Sequence, residues 1–409
     1  AQKESDTVAA VVQDGALVEL VPTDDVTKLA VGDHRGVTVE DSIERDGERL
    51  VPVSARNNLI RHRAVLLPGP PAPYETVDDL IASIEVYTTR YVDLSPNFLR
   101  ITSAYVLLSW VYDAFNELPY LRFRGDYGSG KTRALIVIGS LMYKPLFASG
   151  ASTISPIFHA LDLFRGTLVI DESDFRMSDE KAELVKILNQ GNVRGFPVLR
   201  SQATPQKTFD PRAFHVYGPK IVAMRHSFSD QALESRFLTE EMGHRSLRSD
   251  IPINLPDCQE EEARVLRSKL LRYRFNTYHA THVRTDAYDP SLSPRTNQIM
   301  IPLLSVLDDP VLRESILASM RGTETMLSAE RAASPEGQLR EVIESLREST
   351  TDAITVGEIA EAFQARFGTE YDRPITARYI GYLLRQRLHL RVMKRKGVFV
   401  VAGITPVSS

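Results

Sequence analysis

The chain has a single cysteine, Cys258, in 409 residues. A lone thiol cannot close an internal disulfide, and it cannot supply a Cys-cluster zinc or iron–sulfur site. A reducing, cytoplasmic setting is therefore expected. Long hydrophobic runs are missing too. The greasiest stretches, AYVLLSWVYDAF (104–115) and ALIVIGSLM (134–142), fall short of the ~20 residues that span a bilayer. No apolar run near the N-terminus is long enough for a signal peptide, and no membrane partner is expected. The first residue is Ala rather than Met, which leaves open whether the chain is a fragment of a longer protein. Neither sign of charge dominates. Lys plus Arg is 49 and Asp plus Glu is 53, for a net charge of −4. That excludes a uniformly basic coat protein but leaves room for a local basic surface.

At roughly 150 residues per domain, the length predicts two or three domains. Residues 1–75 read as a small β-rich region, with runs such as VVQDGALVELV and GVTVEDSI between Gly and Asp breaks. PGPPAP at 68–73 holds four prolines and predicts a loop or linker. Helices follow over 76–116, where apolar residues recur every three to four positions. From about 117, apolar strand-like runs alternate with helical segments, which predicts an α/β core with a sheet covered by helices. The expected divisions are 1–75, an α/β core with its preceding helices over 76–258, a helical region over 259–332, and a last domain over 338–409. ASPEGQ at 333–338 marks the hinge before that last domain.

The strongest motif is GDYGSGKT, Gly125–Thr132, a full match to G-x-x-x-x-G-K-[ST] between a strand-like and a helical run. Glycines leave backbone N–H groups free to wrap a phosphate, and the following helix N-terminus adds positive potential. Gly125, Asp126, Tyr127, Gly128, Ser129, Gly130, Lys131, Thr132 and Arg133 are thus the expected ATP-binding segment. Lys131 reaches the β- and γ-phosphates and Thr132 ligates Mg²⁺. GTLVIDE (166–172) supplies an acidic strand end. Asp171 is expected to hold the metal, and Glu172 to act as general base for the attacking water. A small-molecule kinase would share the P-loop, but the Asp–Glu pair suits water as the acceptor. KIVAMRH (220–226) reads as a further buried strand, with Arg225 or His226 placed to sense the γ-phosphate. Arg236, in ALESRFL, is a charge between apolar neighbours. It is a candidate arginine finger acting across a subunit boundary, the rival being a pairing with Glu234 or Glu240.

GDYGSGKT, GTLVIDE, GPKIVAMRH and DQALESRFL, in this order, resemble the ATPase core of AAA+-type helicase-like proteins of phage, plasmid and mobile-element replication modules. The resemblance covers roughly 95–320 and implies a P-loop NTPase fold with a helical lid. It further implies ATP and Mg²⁺ as cofactors, a ring (commonly a hexamer) with ATP between subunits, and DNA as the partner. A neighbouring primase or primase–polymerase belongs to the same implication. By this resemblance Asp171 and Glu172 are the Walker B pair, Arg225 sits at sensor 1, and Arg236 is the arginine finger. Arg295, opening a lid helix in SPRTNQIMIPLL, stands at sensor 2.

Two basic segments suggest where nucleic acid binds. GNVRGFPVLRSQATPQKTFDPR (191–212) carries Arg194, Arg200, Lys207 and Arg212 with Asp210 as its one acid, and is expected to form a channel-facing hairpin. At the C-terminus, helix (354–368), helix (373–388) and a strand pair turning at KRKG resemble a winged helix-turn-helix. From Arg373 to Ser409 there are eight Arg or Lys and no Asp or Glu. Arg378, Arg385, Lys394, Arg395 and Lys396 are the expected DNA contacts. The expected function is an ATP-driven DNA helicase or translocase. The alternative is an ATP-switched DNA-binding initiator or helicase loader that does not unwind.

Overall fold

A computed structural model describes residues 4–12, 15–149, 152–171, 178–203, 209–228, 230–244, 248–349, 353–371, 375–395 and 397–401. Glu172, Lys207 and Lys396 lie outside these. The chain divides into two compact units, Ala1–Ser319 and Met320–Ser409.

The first unit opens with β1 (Glu4–Thr7), β2 (Ala9–Val11), β3 (Leu17–Thr23), β4 (Val26–Asp33), β5 (Gly36–Glu40), β6 (Ile43–Arg45) and β7 (Glu48–Pro52). β2–β5 form an antiparallel meander, and β1 pairs with β7, which pairs with β6. Leu17–Val21 of β3 are buried on both faces. Val18 and Leu20 join the apolar core that also holds Leu146, Phe158 and Ile170, so this β-rich region packs as part of the larger body. After α1 (Asn58–Arg61) come α2 (Val77–Tyr91), capped by Thr76, and α3 (Pro96–Trp110), capped by Ser95 with Pro96 in its first turn. From Ile101 to Trp110 every residue of α3 is buried, as befits a helix surrounded by protein.

The core is a five-stranded all-parallel sheet. Its strands are β8 (Tyr120–Arg124), β9 (Leu146–Ser149), β10 (Leu168–Asp171), β13 (Lys220–Met224) and β14 (Phe237–Glu241), in spatial order β14-β8-β13-β10-β9. Between them run α4 (Lys131–Gly139), α5 (Ile154–Phe164), α6 (Ser178–Gln190) and α7 (Gln231–Glu234). Between α6 and β13 the chain makes the antiparallel hairpin of β11 (Val198–Ala203) and β12 (Phe209–Phe214). Since the five strands are parallel, the loops leaving β8, β10, β13 and β14 all emerge on one edge, where ligands of such sheets bind. Helices α8 (Cys258–Thr277) and α9 (Pro294–Ser305) complete this unit, and α10 (Pro310–Ala333) runs across the division.

One buried polar cluster ties distant parts of this unit together. Glu19 of β3 is fully buried and accepts from Lys144 Nζ (2.6 Å), Arg274 Nε (2.7 Å) and Tyr143 Oη (2.8 Å). Arg274 also grips Asp113 with both terminal nitrogens at 2.7 Å. Every charge in the cluster has an opposite neighbour, as burial demands.

The second unit holds α11 (Pro335–Ser349), α12 (Val356–Phe367), α13 (Ala377–Gln386) and the antiparallel pair β15 (Val392–Arg395) and β16 (Val398–Val401). Its own core includes Leu339, Ile343, Ile359, Phe363, Ile380, Leu384 and Val401. The Thr355 hydroxyl accepts from the Glu358 amide while the Glu358 carboxylate accepts from the Thr355 amide, a reciprocal capping box at the start of α12.

Candidate functional site

The loop from β8 to α4 is shaped by its glycines. Gly125, Gly128 and Gly130 all have positive φ, and a Cβ on Gly125 would overlap the Met242 carbonyl oxygen. Only glycine lets this backbone turn so closely against the residue after β14. Gly130 at φ +89° starts α4, so the amides of the first turn face the loop.

Lys131 is buried, and its ammonium donates to the Asp126 carbonyl (2.6 Å) and the Ser129 hydroxyl (3.2 Å). Burial lowers its pKa and nearby Arg225 adds to that, while Asp171 and Asp126 oppose it. Thr132, next on α4, donates from Oγ1 to Asp171 Oδ2 at 2.8 Å across 39 residues of chain. The two groups expected to share a metal are therefore in contact, one from each strand end. β13 lies between those strands, and Arg225, just past its end, stacks its guanidinium 3.2 Å from the Tyr127 ring centroid. Arg225, Tyr127 and the rest of the Gly125–Gly130 loop border a cavity of about 730 Å³.

The cavity wall also includes residues that belong to no motif: Tyr91 at the end of α2 with Val92 and Asp93 beyond it, Met242–His244 after β14, and Ile253. Arg133 holds Ile253 in place by donating to the carbonyls of Pro252 and Ile253. Such a cavity, with an apolar flank beside a phosphate-shaped loop, has the size and make-up of a nucleotide pocket. The glycine cradle, the buried ammonium and the Thr132–Asp171 pair fit ATP with Mg²⁺. Gly125–Thr132 would hold the phosphates, and Thr132 with Asp171 the metal. Among the described residues there is no cluster of three or more His, Cys, Asp or Glu suited to a metal.

Arg236 lies elsewhere. It immediately precedes β14, whose first residue, Phe237, pairs with Tyr120 at the start of β8. The Gly125–Thr132 loop begins at the other end of that strand. The guanidinium donates to the Asn189 carbonyl (3.0 Å) and the Asn189 side-chain oxygen (2.7 Å), at the C-terminal end of α6. The expected rival pairing with Glu234 or Glu240 does not form. Glu234 binds both terminal nitrogens of Arg122, and Glu240 accepts from Ser95. Arg295 is also absent from the cavity wall and stands near Arg236. Burial and then the Arg295 charge both lower the Arg236 pKa.

In the hairpin segment, Arg200 pairs with Glu183 and lies 4.0 Å over Phe158, Arg212 reaches Asp162 at 3.5 Å, and Arg194 donates to the Asp113 carbonyl. Arg378, Arg385, Lys394 and Arg395 are all exposed in the second unit.

No family model matches this chain, and no curated protein matches it. Solved structures do. The apo C-terminal region of NrS-1 is 11% identical, with 94% of this chain and 96% of that chain covered and a TM-score of 0.37. SCCmec type IV Cch, described as an active helicase, is 13% identical over 98% of this chain and 78% of its own, with a TM-score of 0.42. The Aeropyrum pernix ORC1 protein in complex with DNA is 12% identical over 76% and 90%, with a TM-score of 0.21. All three have identities under 15% and TM-scores under 0.5, so the site is read from its own geometry. No helix among the described residues is long and apolar enough to cross a membrane.

Proposed function

We propose that this chain is an AAA+-type ATPase that hydrolyses ATP between the subunits of a ring and uses the energy to move or unwind DNA. The observation that carries the ATPase reading is the Thr132–Asp171 hydrogen bond beneath a glycine cradle and a buried lysine, all on the same edge of a parallel sheet. In this reading residues 1–75 are an N-terminal β-rich region, 76–258 the ATPase core, 259–332 the lid and 338–409 a winged helix-turn-helix.

ATP with Mg²⁺ supplies the scissile phosphoanhydride and the charge that holds it in line. The chain's residues do the rest. Backbone amides of Gly125–Thr132 orient the phosphates, and Lys131 exchanges its two protein oxygens for phosphate oxygens. Glu172, beside Asp171, takes the proton from water. Arg225 turns from Tyr127 toward the γ-phosphate. The remoteness of Arg236 from its own cavity supports a role in a neighbouring subunit's site, and Arg295 beside it supports a paired action there. An ATPase measurement with and without DNA, alongside light scattering, tests the proposal. DNA-stimulated turnover by an ATP-dependent oligomer is expected, and a DNA-indifferent monomer would overturn it.

One observation favours the initiator or loader reading. Arg200 and Arg212 of the hairpin are already paired with carboxylates, whereas Arg378, Arg385, Lys394 and Arg395 of the second unit have no carboxylate partner among the described residues. Strand displacement on a forked duplex separates the two, since a loader binds the fork with ATP and leaves it paired.

A further inference from the structure

The second unit exposes aromatic rings in the middle of its positive surface. Tyr379 and Tyr382 of α13 are 41% and 48% exposed, and their rings stack at 6.2 Å with an 18° tilt. Ile380, Leu383 and Leu384 take the other side of the helix into the core. Arg378 and Arg385 flank the tyrosines on the same exposed arc, about 10 Å apart along the axis. On the neighbouring hairpin Phe399 is 51% exposed and lies directly across from Lys394. Among the described residues none of Arg378, Arg385, Lys394 or Arg395 has a carboxylate partner, whereas Arg387 is 3.7 Å from Glu336.

Half-exposed rings are costly in water unless something covers them, and this patch carries the charge to select what does. The surroundings call for a polyanion. The flat, paired rings call for a partner with planar faces, which excludes an acidic peptide as the best fit. A duplex buries its base faces and offers hydrogen-bonding edges in its grooves. Two tyrosine rings occupy the centre of the α13 face, where edge reading would need amide or guanidinium groups. Unpaired bases meet both demands, because every base has a π-face and every linkage a phosphate.

We propose that α13 and the β15–β16 hairpin form a binding site for single-stranded DNA, with Tyr379, Tyr382 and Phe399 stacking on bases and Arg378, Arg385, Lys394 and Arg395 holding phosphates. This site deepens the DNA-binding part of the function above and rests on that part alone, not on ATP hydrolysis.

The test uses the full chain with a 5-iodouracil-substituted single strand and its duplex. Photocrosslinks are expected at Tyr379, Tyr382 or Phe399 with the single strand and not with the duplex. Crosslinks confined to other peptides, or equal yield with duplex, would overturn the site. Y379A/Y382A should weaken single-strand affinity about tenfold or more with an unchanged salt dependence, and Y379F/Y382F should retain it. R378A/R385A should instead flatten the salt dependence. Loss of affinity in the Phe variants would reject stacking. Basal ATPase activity should be unaltered in all of these. Absent ATPase activity in the unmodified chain would defeat the functional proposal while leaving the crosslink result to decide the DNA site.

Discussion

Lys131 and Arg236 are both cations held by protein oxygen atoms, yet they call for opposite results. Lys131→Ala removes the ammonium held by the Gly125–Thr132 loop and should abolish ATP binding, read by nucleotide fluorescence titration. Arg236→Ala should leave binding intact and lower turnover about a thousandfold or more, the scale of a lost arginine finger. Mixing Arg236→Ala subunits with Asp171→Asn subunits should restore turnover at the junctions that pair an intact finger with an intact cradle. No recovery would mean that Arg236 acts within its own subunit, as the cap of α6. A third cation, Lys220, is fully buried with its ammonium on the carbonyls of Val216 (2.8 Å), Gly218 (2.9 Å) and Gly191 (3.2 Å). Burial pulls its pKa down to about 7 from 10.5. The folded state then sheds a proton at a pH where the unfolded chain keeps it. This group's contribution to stability is complete above about 10.5 and is lost as the pH falls through about 7. Urea unfolding across pH 6–10 should show stability rising with pH, and Lys220→Met should flatten that rise.

At the scale of elements, the legible parts were those whose chemistry is local. A phosphate cradle needs its glycines within eight residues, so GDYGSGKT declared both the loop and the strand and helix beside it. Asp171 was legible because a run of buried β-formers ended in acid. The wall built by Tyr91–Asp93, Met242–His244 and Ile253 was not, because these segments meet only through the placement of β14 beside β8. The hairpin's positive charges were visible in the sequence, but their partners Glu183 and Asp162 sit on α6 and α5 and gave no signal. Nothing local in VVQDGALVELV marks Glu19, and only the fold brings Lys144 and Arg274 to it. Glu19→Ala should therefore cost about 3–5 kcal/mol by stranding buried cations, measured by denaturant unfolding. Thr355→Ala, which removes an exposed helix cap, should cost about 1 kcal/mol.

For the whole molecule, the relevant quantity is how the parts act at once. If ATP sits between subunits, ATP should raise the mass seen by light scattering, and Lys131→Ala should block that rise. The Glu19 cluster adds a constraint in time. Glu19 and Arg274 are 255 residues apart. At a synthesis rate of roughly 5–20 residues per second, the N-terminal strands wait about 13–50 s for the arginine that neutralises them. For the first 125 residues of that interval Glu19 has no cation at all, and until Arg274 emerges it has only Lys144. The nascent chain is thus a natural client for a holding chaperone, and its yield should depend more on translation speed than on its equilibrium stability.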